Sequence, residues 1–306
     1  MLSLPNGEKG EGIFQRRIGG GGVEVQFKTD RRRAVNVVGV DESAQYGTIQ
    51  EAINDLPKEG GEVFVKEGTY TIETSININK DNIILRGASW GALIQGSATF
   101  PNVPLVLSAG KDNLIIDNIQ IGGTKGINGI DFDSCDNCVI SNCKMSNASA
   151  DGIDIDNCEN VTVRNCLCLN TSSDAGIFLK STSKFCIVEN NRMISCKIQL
   201  EGADKCIVSK NMTDGNTHDG IIYLSGAANN NIISNNQIHN GDTYCIYLEG
   251  GNDYNVIEGN RCAVGRTGVE IEAGSDKTLV TGNNCVGCTN AVVDAGTNTT
   301  AANNTT

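Results

Sequence analysis

Apolar and polar residues alternate with period two in eight short segments between Gly129 and Gly296. Each segment reads apolar-x-apolar-x between turn-forming residues, a pattern that predicts a strand with one buried and one exposed face. The segments begin at Ile130, Ile153, Ile177, Ile198, Ile222, Ile246, Val269 and Ala291. Successive starts lie 23, 24, 21, 24, 24, 23 and 22 residues apart, and a repeat of this length indicates a solenoid.

A second apolar segment, such as Val139-Ile-Ser or Ile232-Ile-Ser, lies in most repeats and is usually followed by Asn. Asn accepts left-handed turns, and its side chain can bond the backbone or a stacked Asn one repeat away. These residues are Asn142, Asn165, Asn191, Asn211, Asn236, Asn260 and Asn283. A repeat this short has no room for a helix and lacks the leucine-rich pattern. The sequence therefore predicts an all-β, single-stranded parallel β-helix. The side chains predicted to point inward include Ile153, Ile155, Ile177, Leu179, Ile246 and Leu248.

The segment from Thr48 to Leu56 predicts a short amphipathic helix, with apolar residues at i, i+4 and i+7 and Thr48 as its N-cap. A turn into a strand is predicted after it at Gly60–Val65, and strands are predicted at Ile76–Ile78 and Ile83–Gly87. A helix here would cover the open end of the solenoid, where strand edges are otherwise unpaired.

This block resembles the start of the pectate-lyase-like right-handed parallel β-helix superfamily, whose members often open with TIQEAI, then GG.V.V and GTY. The matching residues are Thr48–Ile53, Gly60–Val65 and Gly68–Tyr70. With the repeats, the resemblance covers residues 48–296 and implies a right-handed coil with a short capping helix. It is specific for the fold and not for an activity, because phage tailspikes, polygalacturonase-like hydrolases, lyases and esterases share it.

Composition and charge narrow the function. The formal net charge is −12, which argues against nucleic acid as a partner because phosphate binding needs Lys and Arg. No apolar run approaches 18 residues, so no membrane span is expected. The first residues lack the basic start and apolar middle of a signal peptide. We therefore expect synthesis in the cytoplasm.

Three regions are predicted: an N-terminal arm over residues 1–40, a cap with the first rungs over 41–100, and the repeats over 101–306. The arm carries seven Lys or Arg against four acidic residues and includes the flexible run Gly19–Gly22 and the strand-like run Val23–Phe27. It could be a loose tail, a cap on the first rung, or a segment that docks on another chain.

Thirteen cysteines are present, without a repeated zinc-type Cys-x-x-Cys spacing. Cys143 and Cys166 fall at one point of the repeat, and Cys186 and Cys206 at another. We interpret them as free thiols stacked as small core residues, consistent with synthesis in a reducing compartment.

In a β-helix, each outward position of the repeat forms a column along one face, with rungs about 4.8 Å apart. One column combines aromatic rings with carboxylates and an amide, which suits a sugar chain; the alternative is an ordinary solvated face. The candidate glycan-binding residues are Asp154, Phe178, Gln199, Tyr223, Tyr247 and Glu270.

Four carboxylates lie at the N-terminal end of that face. Asp131, Asp133, Asp154 and Asp156 would form a two-by-two patch in which like charges raise one another's pKa or attract a cation. Calcium accepts six to eight oxygen ligands in loose geometry, so it is the candidate ion. Otherwise the carboxylates splay into water. No cofactor is required by either interpretation.

A local stretch, Ala150–Ile155 with Ser173–Ser181, resembles the polygalacturonase pattern NTDGIDI…DDCIAIKS. The resemblance implies catalytic carboxylates at Asp151 and Asp174, one protonating the leaving oxygen and one activating water. The chain departs from that family at Ala175, which replaces an Asp, and lacks its GHG and RIK motifs.

Two function classes remain. The favoured hypothesis is a virion-associated β-helix spike or fibre that contacts a polysaccharide or cell-surface glycan, assembles as a homo-oligomer and docks on other virion subunits through residues 1–40. A virion protein is made in the cytoplasm and released by lysis, which reconciles free thiols with an extracellular glycan. The alternative is a polysaccharide-degrading enzyme, a glycoside hydrolase of polygalacturonase type or a lyase.

Overall fold

The computed structural model describes residues 15–18, 21–24, 34–122, 128–170, 175–216, 220–241, 243–263 and 265–306. The chain divides into two compact units, Met1–Ala34 and Val35–Thr306. In the first unit, strands β1 (Gln15–Ile18) and β2 (Gly21–Glu24) pair as an antiparallel hairpin. Of the predicted strand at Val23–Phe27, residues 25–27 lie outside the described part of the chain.

The second unit is a parallel β-solenoid of about ten turns. Each turn visits a first, a second and a third sheet in that order, and each strand pairs in parallel with its counterparts in neighbouring turns. The predicted β-helix is confirmed. Its first sheet contains β3 (Val35–Val38), β4 (Gly61–Val65), β7 (Ile83–Gly87), β10 (Ile115–Asp117), β13 (Val139–Ser141), β16 (Thr162–Arg164), β19 (Ile187–Glu189), β22 (Ile207–Ser209), β25 (Ile232–Ser234), β28 (Val256–Glu258), β31 (Leu279–Thr281) and β33 (Thr300–Ala302).

The other two sheets complete each turn. The second sheet contains β5 (Gly68–Ile72), β8 (Ala92–Gly96), β11 (Gln120–Gly122), β14 (Lys144–Ser146), β17 (Leu167–Leu169), β20 (Arg192–Ile194), β23 (Met212–Asn216), β26 (Gln237–Gly241) and β29 (Arg261–Ala263). The third sheet contains β6 (Ile76–Asn77), β9 (Val106–Ala109), β12 (Ile130–Asp133), β15 (Ile153–Asp156), β18 (Ala175–Lys180), β21 (Lys197–Glu201), β24 (Gly220–Ser225), β27 (Tyr244–Leu248), β30 (Gly265–Ile271) and β32 (Cys288–Asp294).

The core lies inside the coil and follows the period-two pattern of the third-sheet strands. The six side chains predicted to point inward are fully buried; they are Ile153, Ile155, Ile177, Leu179, Ile246 and Leu248. Apolar burial of this kind stabilises the fold by about 1.5–3 kcal/mol for each large aliphatic side chain. The apolar face of each strand therefore fixes which residues of the third sheet point outward.

The predicted pairing holds for the first seven segments and is wrong for the last. In β32, Val293 pairs with Glu270 and Val292 pairs with Val269, one residue away from the predicted alignment. Ala291, Val292 and Val293 are three consecutive apolar residues, so the alternation gives no phase there. In the observed pairing, the residues that face each other across this turn are 23 positions apart in the sequence.

Helix α1 (Ile49–Asp55) confirms the predicted helix and covers one end of the coil. Its N-cap is Thr48, whose side chain accepts a hydrogen bond from the Glu51 amide at 3.2 Å. The buried face of α1 packs on β3, β4 and β6. Among the described residues, α1 is the one α-helix, and no helix there has the length and apolar character to cross a membrane.

Stacked asparagines form a continuous ladder beside the first sheet. After the first member, the Oδ1 of each Asn accepts hydrogen bonds from the backbone N–H and the Nδ2 of the Asn one turn earlier, as between Asn236 and Asn211 at 2.9 and 3.0 Å. The ladder, named here the Asn ladder, consists of Asn191, Asn211, Asn236, Asn260, Asn283 and Asn304.

Two of the predicted ladder members occupy a different column. Asn142 and Asn165 are exposed and left-handed, with φ of 54° and 55°, and they directly follow their strands. The ladder position is one residue later, where these turns carry Cys143 and Cys166. Sequence alone could not separate the columns because Asn suits both conformations.

All thirteen cysteines are free and buried, as predicted. Sulfur takes the place of the ladder amide in two turns, and Cys166 donates its backbone N–H to Asn191 Oδ1 at 2.9 Å. The thiols are thus core residues that continue the same stacking.

Candidate functional site

The outward side of the third sheet, from β12 to β32, carries the greatest variety of polar and aromatic side chains, and we name it the third-sheet face. Parallel pairing in register aligns one outward residue per turn into a column. The column consists of Asp131, Asp154, Phe178, Gln199, Tyr223, Tyr247 and Glu270, as the repeat predicted.

Two tyrosines in the middle of this column stack on each other. The ring centroids of Tyr223 and Tyr247 lie 5.3 Å apart with planes 6° from parallel, and Tyr244 stacks on Tyr247 at 4.9 Å. Lys197 Nζ, from the preceding turn, lies 5.3 Å from the Tyr223 centroid. Tyr223 therefore has a protein group over each ring face. These rings offer mainly edges and hydroxyls to a ligand, not the open faces expected from sequence.

Each phenol of the pair donates a hydrogen bond to a glutamate of the next turn. The Tyr223 hydroxyl lies 2.9 Å from Glu249 Oε2, and the Tyr247 hydroxyl bonds Glu272 Oε1. Burial, together with the Glu249 carboxylate, raises the pKa of Tyr223 to about 12. Both phenols therefore stay protonated, and the two carboxylates are held at the outer surface as hydrogen-bond acceptors.

Phe178 and Gln199 lie between the tyrosines and the acidic end of the face. Lys180 Nζ lies 4.8 Å from the centroid of the Phe178 ring, a cation–π contact. Gln199 is buried and donates to Glu201 Oε2 at 3.5 Å. These two residues are more enclosed than the sequence pattern suggests.

At the acidic end, Asp131 and Asp154 meet around one amide. Asn128 Nδ2 donates to Asp131 Oδ2 at 3.1 Å and to Asp154 Oδ2 at 3.0 Å, and Lys180 Nζ donates to the same Asp154 oxygen at 2.5 Å. Burial raises the pKa of Asp154 to about 7, against the opposing effect of Lys180. Burial also raises the pKa of Asp131. The other oxygen of Asp154, Oδ1, is buried without a hydrogen-bond partner.

The pairing of β12 with β15 places the four residues of the predicted two-by-two patch side by side, with Asp131 beside Asp154 and Asp133 beside Asp156. Asp133 is exposed, whereas only 4% of the Asp154 side chain is exposed. Among the described residues, no group of three or more His, Cys, Asp or Glu side chains is arranged to hold a metal ion. Calcium at this patch stays a prediction, to be tested by melting in calcium and after chelation.

Of the two predicted catalytic carboxylates, Asp151 lies within the described residues. Asp151 is buried, and its Oδ1 accepts the backbone N–H of Ala175 at 2.8 Å, which ties two turns together. Asp174 lies outside the described residues. A catalytic role for these two stays a prediction.

Asn128 and Tyr244 were not identified from sequence, although both touch the column. Asn128 precedes Gly129-Ile130 as Asp151 precedes Gly152-Ile153, so the repeat alignment could have placed it. Tyr244 lies three residues before Tyr247 and joins it by ring stacking. The period-two pattern does not predict this contact, because residues three apart on a regular strand point to opposite faces.

The chain belongs to the family described as "Periplasmic copper-binding protein (NosD)", which matches residues 67–306, or 240 of the 306 residues. No curated protein matches the chain in sequence. The fold is that of phage tailspikes and of polysaccharide-degrading enzymes.

Three solved structures illustrate this likeness. The Dettilon tailspike protein has a TM-score of 0.67 at 18% identity, covering 81% of this chain and 54% of its own. The tailspike of E. coli bacteriophage HK620 in complex with a pentasaccharide gives 0.62 at 17% identity, covering 77% and 52%. Alginate lyase from Paenibacillus sp. str. FPU-7 gives 0.54 at 16% identity, covering 84% and 94%. The chain spans about half the length of these tailspikes.

Proposed function

We propose that this protein is a β-solenoid spike or fibre component of a virion that binds a glycan along the third-sheet face. The observation that carries the proposal is the column of stacked tyrosines whose hydroxyls are held by Glu249 and Glu272. Amphipathic rings beside fixed polar groups are the usual lining of a sugar site. The similarity in fold to two phage tailspikes, one of them solved with a bound pentasaccharide, supports the proposal.

Binding would use the two kinds of group that the face provides. Sugar hydroxyls would donate to the carboxylates of Glu249 and Glu272 and accept from Gln199. The ring edges of Tyr223 and Tyr247 would contact the C–H groups of the sugar. Because the third-sheet strands are held in register by the coil, these groups are ordered before the ligand arrives, which lowers the entropy lost on binding.

Titration calorimetry against a panel of oligosaccharides, with product analysis of each mixture, tests the proposal. Tyr247→Ala should weaken binding about tenfold or more, the equivalent of about 1.4 kcal/mol. Tyr254→Ala is the matched control, because Tyr254 is exposed and carries a comparable lysine contact, with Lys277, beside the first sheet. Equal losses in the two variants, or no binding by the parent, would contradict the proposal.

A second candidate function is hydrolysis of a glycosidic bond at Asp131 and Asp154. The observation favouring it is the raised pKa of Asp154 beside a second carboxylate on the same amide. Because both carboxylates bond the same amide nitrogen, they are too close to admit a water between them and the sugar, which suits a retaining reaction. Protonated Asp154 would give its proton to the leaving oxygen as the C1–O bond breaks, and ionised Asp131 would bond to C1. Water, losing a proton to Asp154, would then attack C1, break the C1–Asp131 bond and release the sugar. Reducing ends released by the parent and not by Asp154→Asn or Asp131→Asn would establish it.

Within the predicted arm of residues 1–40, Val35–Val38 form β3 of the first sheet; we further propose that the residues before β3 dock on other virion subunits and that the protein is a homo-oligomer. The charge of this segment supports the first part, since seven basic and four acidic residues set it apart from the acidic remainder. A chain truncated before residue 31 should keep its melting temperature and lose assembly. Failure of the truncated chain to fold would identify the segment as an integral cap.

We assign no copper to this chain, although the description of its family names that metal. Copper in proteins needs a set of thiolate, thioether or imidazole ligands around one point. The thirteen thiols are buried core residues, and the described residues contain no three-ligand group of His, Cys, Asp or Glu. No step of the proposed function involves the metal.

A further inference from the structure

The third-sheet face is strongly acidic. From β12 to β32, with the residues that directly follow β27 and β30, its outward positions hold eight carboxylates and three basic side chains, a formal charge of −5 within the described part of the chain. A ligand that follows this face for several turns meets the field of the whole row, and such a field favours cations and disfavours anions.

Two of the three basic side chains are already engaged by the protein. Lys180 is bound to Asp154 and lies over Phe178. Lys197 lies over the Tyr223 ring. Binding of a sugar carboxylate would call for free Arg or Lys donors, ideally a bidentate Arg.

The third basic residue, Arg266, is close enough to Glu270 to influence that carboxyl. Burial raises the pKa of Glu270, and the charge of Arg266 opposes the rise. Within the described residues, Arg266 is the only Arg on this face, and its charge acts on a carboxylate of the protein. A polyuronate would have to compete with that carboxylate.

Hydrogen-bond acceptors, in contrast, are in excess on this face. Glu249 and Glu272 each accept one hydrogen bond from a phenol hydroxyl and can accept further hydrogen bonds at the surface. At the other end of the column, Asp154 Oδ1 is buried without a hydrogen-bond partner, in a side chain that is 4% exposed. A ligand rich in N–H donors and positive charge complements this arrangement.

We infer that the glycan bound by the third-sheet face carries free amino groups, as in a polymer of hexosamine, and that polyuronates are excluded. This inference rests on the proposed glycan binding. The ammonium groups would lie against the carboxylates of Glu249 and Glu272, and the sugar hydroxyls would bond the remaining acceptors.

The test is calorimetric titration of the full chain at mildly acidic pH with three oligosaccharides of equal length: glucosamine with free amines, its N-acetylated form, and galacturonate. The amine form should bind about tenfold or more tighter than the acetylated form, and galacturonate should not bind. The advantage of the amine should shrink in high salt, because exposed charges are screened. Equal binding of the amine and acetylated forms, or binding of galacturonate, would overturn the inference and leave glycan binding intact.

A charge-removing variant separates the inference from the proposed function. Glu249→Gln with Glu272→Gln should lower the affinity for the amine form about tenfold more than the affinity for the acetylated form. Glu258→Gln, an exposed glutamate of the first sheet, is the control and should change neither. Failure of all three oligosaccharides to bind the parent would instead remove the proposed function itself.

Discussion

The Asn ladder and the third-sheet face are built by the same repeat and differ in what the repeat does. In the ladder, one residue type recurs for six turns, and each side chain bonds the backbone of its neighbour. On the third-sheet face, the residue changes at nearly every turn, from Asp through Phe, Gln and Tyr to Glu, while the strand pairing stays constant.

Whether a column repeats one residue type or varies from turn to turn indicates whether its positions are structural or functional. A column that must satisfy buried polar groups has few solutions, because an unpaired buried donor costs about 1–3 kcal/mol. A column on a stable outer face is free of that constraint, so its composition reflects contacts with something else. The predictions below probe this contrast.

The largest effect is expected in the ladder. Asn236→Ala removes the acceptor of the Asn211 N–H and Nδ2 and the donor to Val208 O, so the free energy of unfolding should fall by about 2–5 kcal/mol. Gln237→Ala is the control, because the neighbouring Gln237 is exposed; its effect should stay within about 0.5 kcal/mol. Urea unfolding measures both, and similar losses would remove the special role of the ladder.

A methyl group added to a glycine of the third sheet, on the side that faces the core, should lower the free energy of unfolding nearly as much. A methyl group at Gly268 would lie 2.2 Å from Cys285 Sγ and 2.7 Å from Ala291 O, so Gly268→Ala should cost about 1–3 kcal/mol through overpacking. Gly47→Ala is the control, since nothing lies within 4 Å of its added methyl. An unchanged melting temperature for Gly268→Ala would show that the thiol-lined interior is loose.

The last prediction concerns Asp154 and the pH dependence of the free energy of unfolding. Burial raises its pKa in the folded state to about 7, from 3.8, so its contribution to stability is complete below pH 3.8 and is lost as pH rises through 7. Asp154→Asn should therefore flatten the decline in unfolding free energy between about pH 4 and 7, where a change of one in pKa corresponds to about 1.4 kcal/mol. Asp133→Asn, an exposed residue of the same patch, should not change it. The assignment would be contradicted if the unfolding free energy of the parent rose across this pH range and Asp154→Asn showed the same slope.

The architecture was accessible from sequence because it depends on periodicity. Eight alternating segments at a near-constant step predicted the third sheet, and Thr48 with the apolar spacing after it predicted α1. Where periodicity was ambiguous, as at Ala291–Val293, the register was misassigned by one residue.

The candidate site was only partly accessible because contacts between turns decide it. Sequence placed Tyr223 and Tyr247 in one column but could not show that stacking covers their ring faces, or that each hydroxyl bonds a glutamate one turn on. It grouped Asp131 with Asp154 but did not show that Lys180 and Asn128 converge on the latter. These features depend on side-chain direction across about 5 Å rung spacings, which residue spacing does not specify.

The most direct test of the central claim is a crystal structure of the protein with a bound oligosaccharide from the hexosamine series. We predict sugar density along the third-sheet face, with rings against the edges of Tyr223 and Tyr247 and donors within hydrogen-bond distance of Glu249 or Glu272. Density beside the first sheet, or at any site that leaves both tyrosines uncovered, would contradict the account.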